Sequence, residues 1–164
     1  MKLSWKIVLT VLLIVTLTVS VSSYIMIAST FQAELDSQAG AASGESQMLC
    51  LTLGALASQA VGSGESALLE QLEGSSFFQN YAMLVYRSDG TVLWKNREEP
   101  ANLTPADVGQ EGLCYAFFQR DTGSRRYLET VQRLELNGET FYVDLLQGAD
   151  QAFSQRDANL QIYR

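Results

Sequence analysis

Residues 7–27, read IVLTVLLIVTLTVSVSSYIMI, contain no charge, no proline and no glycine. As a helix rising about 1.5 Å per residue, the run spans about 30 Å, the thickness of a bilayer's hydrocarbon core. Its threonines and serines can bond back to carbonyls of their own helix, so they do not bar it from lipid. A cleaved signal peptide is the competing reading. Such a peptide has a core of about 7–15 apolar residues and a small-x-small cleavage site. Here the run is longer, and Tyr24, Ile25, Met26 and Ile27 follow the serine-rich patch. An uncleaved anchor is therefore the expectation, and either reading exports the rest of the chain. Lys2 and Lys6 precede the run, while Glu34 and Asp36 lie beyond it. Positive charge stays inside, which predicts a cytoplasmic segment 1–6, a single span 7–27 in the cell membrane, and the remainder outside the cytoplasm.

The outer part is one domain in size. After residue 27 stand all 18 acidic residues and nine of the 11 basic ones, a net charge of −9. That balance excludes nucleic acid as a partner and tight docking on anionic lipid. The chain has no histidine. His-based zinc sites, Ser–His or Cys–His nucleophile pairs and a phospho-accepting histidine are thereby removed. The carboxylates lie singly on turns and strands, with no run resembling an EF-hand, so no metal, no cofactor and no catalytic residues are assigned. Cys50 and Cys114 allow two readings. A disulfide between them would close a loop of about 60 residues, worth about 3–4 kcal/mol. Alternatively they are separate buried thiols, and their apolar neighbours suit both.

Beyond the membrane run, 29–59 reads as a continuing helix, with Phe31, Leu35, Ala42, Leu49, Leu53 and Leu56 on one stripe. Gly40 and Gly44 weaken it, and a kink or break is expected there. Gly62-Ser63-Gly64 is a turn and 66–73 a short amphipathic helix closed by Gly74. The period then changes to two. Strands are expected at 81–86 and 91–94, joined by a two-residue Asp89-Gly90 turn. Residues 96–112 form a polar loop with a helical turn at 104–107. Its Asn102-Leu103-Thr104 sequon is read as chance. Further strands are expected at 113–119, 126–136 and 140–147, the first of them central because it is nearly all apolar. Asp121-Thr122-Gly123 and Asn137-Gly138 supply the turns. Residues 149–164 read as a helix with Phe153, Arg156, Leu160 and Tyr163 along one side.

A two-residue Asn137-Gly138 loop fixes the last hairpin: Leu136 opposite Glu139, Leu134 opposite Phe141, Gln132 opposite Val143, Thr130 opposite Leu145. That face is apolar and should meet the long helix. The other pairs Arg133 with Tyr142, Val131 with Asp144 and Glu129 with Leu146, with Tyr127 further along. Either it is a solvated sheet face, or its charges and phenols line a concavity. On the second reading the candidate ligand contacts are Tyr127, Arg133, Tyr142 and Asp144, with Arg133 suited to a small carboxylate.

The element order is a membrane helix, a long helix, a strand pair, a helical loop, a three-strand meander and an exit helix. With it go Lys2-Leu-Ser-Trp-Lys, the YIMIASTF that begins at Tyr24, Met48-Leu-Cys-Leu, Tyr86-Arg-Ser-Asp-Gly-Thr-Val-Leu-Trp and the closing segment from Asp150 to Arg164. Together these resemble the first membrane helix and extracytoplasmic PAS-like (Cache, or PDC) sensor domain of bacterial two-component sensor histidine kinases. The resemblance implies an α+β fold: a long helix packed on a five-stranded antiparallel sheet over 28–148, and an exit helix at 149–164. That helix would lead to a second membrane helix, a HAMP segment, a phospho-accepting histidine and an ATP-binding core beyond Arg164. This polypeptide has neither the histidine nor ATP-binding glycine motifs and is not itself a kinase. A response regulator would be reached only through such a core. The expected function is signal input, with a small-molecule ligand and a homodimer through the stalk helices. The alternative is a membrane-anchored structural or interaction protein that dimerises without a ligand.

Overall fold

One unbroken helix, α1 (Lys2–Gln59), opens the chain. The computed structural model describes residues 2–60, 64–119, 125–150 and 153–154. They belong to two compact units: residues up to Ser37 with the chain end from Ala152, and Gln38 to Gln151. In the first, the apolar side chains of the 7–27 run stand exposed, Leu12 at 66%, and the helix there is long and apolar enough to cross a membrane. The hydroxyls of Thr10, Thr16, Thr18 and Ser20 each donate to the carbonyl four residues earlier at 2.8 Å. Those polar groups thus place no unmet demand on lipid. Phe31 and Phe153 meet edge to face, centroids 5.3 Å apart. Asp150, Phe153 and Ser154 are helical. Ala149, expected in the same helix, is not helical; Gln151, Ala152 and residues 155–164, Arg156, Leu160 and Tyr163 included, lie outside the described residues, as do Gly62-Ser63 and Asp121-Thr122-Gly123.

The second unit is α+β. After α1 come α2 (Gly64–Gly74), α3 (Ser76–Gln79), β1 (Ala82–Arg87), β2 (Val92–Lys95), a 3-10 turn (Pro105–Asp107), β3 (Leu113–Gln119), β4 (Arg126–Leu136) and β5 (Glu139–Gly148). The strands form one antiparallel sheet in the order β2-β1-β5-β4-β3. The β4–β5 register is the one expected, with Leu134 opposite Phe141 and Arg133 opposite Tyr142. It is set by Asn137 (φ 53°) and Gly138 (φ 84°), the two left-handed residues that a type I′ turn needs.

Four expectations need correction. The helix does not break at Gly40 and Gly44. Its buried stripe (Ala39, Ala42, Ser46, Leu49, Cys50, Leu53, Ala57) continues past them, and burial of that stripe outweighs about 1 kcal/mol of intrinsic cost per glycine. Leu56, expected on the stripe, is 37% exposed while Ala57 is fully buried. The contact line shifts because β4 comes close at Gly54, where an added Cβ would lie 3.2 Å from Leu134 Cδ1. The first hairpin turns through three residues, not two. Arg87 O accepts from Gly90 N, Arg87 N donates to Thr91 O, both at 2.9 Å, and Gly90 (φ 84°) closes the turn in the left-handed region. Finally, β3 is an edge strand. The central place belongs to β5, which is hydrogen-bonded to both β1 and β4, while Tyr115 of β3 is 50% exposed.

The core lies on one face of the sheet. Leu53 and Ala57 of α1, Leu68 and Leu72 of α2 and Phe78 of α3 meet Val85, Phe141 and Leu145 there. The short α3 has no periodic signal in the sequence. It forms because Ser75 accepts from Phe77 N at 3.3 Å and because Phe78 is fully buried.

Candidate functional site

The opposite face is built differently. Alternation along the strands directs Tyr86 (β1), Asp144 and Tyr142 (β5), and Glu129, Val131 and Arg133 (β4) away from the helices. The loop 96–112 lies over them. It leaves β2 through Asn96, whose amide group donates to Gln79 O at 2.6 Å and Tyr81 O at 3.0 Å. The next residue, Arg97, reaches down onto the sheet. Arg97 Nη1 donates to Asp144 Oδ1 at 3.1 Å, and Nη2 lies 2.6 Å from both Asp144 Oδ2 and Glu129 Oε1. Glu129 Oε2 accepts the backbone amides of Asn102 (2.9 Å) and Leu103 (3.1 Å), and Tyr86 OH donates to Asp144 Oδ2 at 3.4 Å. The side chains of Arg97, Glu129 and Asp144 have no solvent exposure at all.

This cluster is a clasp: two sheet carboxylates hold an arginine and two amides of the loop. Burial, above all, pushes the Asp144 carboxyl up to about 8; Glu129 beside it adds to the rise and Arg97 opposes it. Burial, then Asp144, pushes the Tyr86 phenol up to about 12. The cluster holds no nucleophile–base pair. Among the described residues no three His, Cys, Asp or Glu side chains converge as metal ligands.

The expected ligand residues share this face but do not gather at one point. Arg133 and Tyr142 are cross-strand partners, Asp144 lies one row along, and Tyr127 pairs with Gly148. Arg133 lies six positions beyond Tyr127 on β4, about 20 Å of strand, and the Tyr127 ring stacks on Phe118 at 5.6 Å. Arg133 is the accessible one, its side chain 40% exposed and 3.5 Å from Glu135. Asp144 is committed to Arg97. Both cysteines are free thiols: Cys50 sits in the core with the helices, whereas Cys114 pairs with Val131 on the clasp side, and the sheet stands between them. Burial pushes the Cys50 thiol up to about 12 and raises Cys114 as well. A cleft of about 300 Å³ lies at the β1 and β5 turns, lined by residues including Glu65, Arg87, Gly138 and Glu139, with Arg87 and Glu65 paired at 2.5 Å.

Sequence reasoning missed Arg97, and with it the roles of Glu129 and Tyr86. One signal was present. The predicted register put two carboxylates on one face a single row apart, and two acids so placed require a cation. Which cation could not be read, because Arg97 lies in an aperiodic loop. No family model, no curated protein and no solved structure matches the chain.

Proposed function

We propose that the chain is a membrane-anchored signal-input module of PAS-like (Cache) type, the extracytoplasmic sensing end of a two-component sensor histidine kinase. The reading rests on one observation. The single helix α1 contains both the uncharged 7–27 run and the stripe from residue 39 to residue 57 that packs on the sheet. A ligand or membrane stress that repacked the stripe would act on the same element that enters the bilayer. The order of long helix, strand pair, helical turn and three-strand meander supports the PAS-like assignment. Lys2 and Lys6 support a cytoplasmic N-terminus. The ligand class is a small carboxylate received by the exposed Arg133 guanidinium beside Tyr142, with ligand-bound and ligand-free packings in equilibrium. The test is thermal unfolding of the full-length chain in lipid nanodiscs against a panel of small mono- and dicarboxylates. One carboxylate should raise Tm, and Arg133→Ala should remove the shift while leaving the unliganded Tm in place. A panel without any shift overturns the sensing role; a shift that survives in the variant overturns the Arg133 assignment.

One observation favours a second reading, an anchored structural protein that dimerises through its stalk. Ala41, Gly44, Met48, Leu51, Ala55 and Ser58 are all exposed, Met48 at 70% and Leu51 at 67%. They recur at alternating steps of three and four, the seam of a left-handed coiled coil, without a charge among them. A second copy anchored in the same membrane would present the same seam in parallel. Mass measurement of the solubilised full chain should give a dimer that Leu51→Glu converts to a monomer. A dimer with no carboxylate response favours this reading over sensing.

A further inference from the structure

The clasp contains a charge imbalance. Arg97 supplies one positive charge against the two carboxyl groups of Glu129 and Asp144, and none of the three side chains touches solvent. Double ionisation would seal a net negative charge in the interior, where no second cation among the described residues pairs with the two carboxyl groups. The geometry offers a way out. Glu129 Oε1 and Asp144 Oδ2 both lie 2.6 Å from the same atom, Arg97 Nη2, so the two carboxyl groups converge. A proton held between two converging carboxyls relieves the repulsion that double ionisation would create. Hydrogen bonding places the proton. Glu129 Oε2 accepts two backbone amides, at 2.9 and 3.1 Å, and such bonds favour the charged form. Beyond Arg97, Asp144 accepts one long bond, from Tyr86 OH at 3.4 Å.

We propose that the loop 96–112 is a proton-held cover: one proton on the Glu129–Asp144 pair, resident on Asp144, keeps Arg97 seated on the sheet, and opening of the loop releases that proton to water. The groups that face Asp144 are Arg97 from the loop, Glu129 from β4 and Tyr86 from β1. Cys114 of β3 feels Asp144 and Glu129 from further off, and Asp107 of the 3-10 turn acts on Cys114. The helices pack on the other face and bring no charge to it. The inference is independent of the sensing reading, since it concerns only how the loop is held.

Burial holds the Asp144 proton up to about 8 in the closed protein, against an ordinary value of 3.8 once the loop opens. Between those limits opening releases one proton. The opening equilibrium therefore rises by up to tenfold per pH unit from about pH 4 to about pH 8 and levels off above. The cover is tightest in acid and loosens towards neutral pH.

Hydrogen exchange of the full-length chain in nanodiscs, read as protection factors that correct for the chemical exchange rate, tests this directly. Protection of 96–112 should fall towards tenfold per unit as pH rises to about 8 and then level. Asp144→Asn keeps an acceptor for Arg97 and offers Glu129 a donor without the titrating proton. Its loop should stay protected and pH-independent. Infrared titration of the wild-type chain needs no variant: a neutral-carboxyl band should be present at about pH 6 and vanish as pH passes about 8. Protection that ignores pH in the wild type, an unaltered slope in Asp144→Asn, or the absence of a neutral-carboxyl band overturns the proposal. If the variant does not fold, the infrared titration decides alone.

Discussion

The two faces of the sheet are stabilised by opposite means. The helix face is sealed by interdigitated apolar side chains such as Leu53, Phe78 and Phe141, and its energy is spread over many weak contacts. The loop face concentrates its hold in Arg97, Glu129 and Asp144, which make few contacts of high individual strength. A distributed interface tolerates the loss of one member. A concentrated one does not, because removing the cation strands two carboxyl groups in a medium that cannot solvate them.

That contrast can be broken first at Arg97. Arg97→Ala should destabilise the second unit by about 3–5 kcal/mol, the cost of orphaning a buried charge partner, in chemical denaturation of the solubilised chain. Its loss should shrink in acid, where protonation removes the negative charge stranded by the missing guanidinium. On the helix face, Leu53→Ala should cost about 2–5 kcal/mol and show no such pH dependence, since the core cluster around Leu53 contains no charged side chain. A slope in the leucine variant, or none in the arginine variant, would erase the distinction between the faces. Smaller still is Gly138→Ala. A side chain at φ 84° costs about 1–2 kcal/mol, and the loss should fall alike on both faces because the turn sets the register of both. At the bottom of the scale, Arg87→Gln breaks the surface pair with Glu65 and should leave Tm within error, in contrast to the buried arginine ten residues later. A Tm drop comparable to that of Arg97→Ala would show that exposure is not what separates the two ion pairs.

The helix face was legible from the chain alone. The period of Leu49, Leu53, Leu134, Phe141, Val143 and Leu145 follows from which element each lies on, and the Asn137-Gly138 turn fixed the pairing to the residue. The loop face was legible in half. The register placed Arg133, Tyr142, Asp144 and Glu129 together, but Arg97 sits in a stretch with neither period. Residues 113–119 were misplaced to the centre for a related reason. An apolar strand can be covered by a loop as well as by a second strand, and composition does not say which. No break occurs at Gly40 and Gly44 because local propensity of about 1 kcal/mol is small beside tertiary burial.

By itself the sequence determined an uncharged helix of bilayer length, a continuing apolar stripe, five strands and the register of the last hairpin. These come from local periodicity and turn chemistry, which act between near neighbours. Only the tertiary structure decided that β5 lies at the centre, that the cysteines fall on opposite faces, and that Arg97 closes on Glu129 and Asp144 across 32 and 47 positions of chain. Contacts at such separation are selected by the desolvation of whole groups on folding, and no pattern along the chain records that.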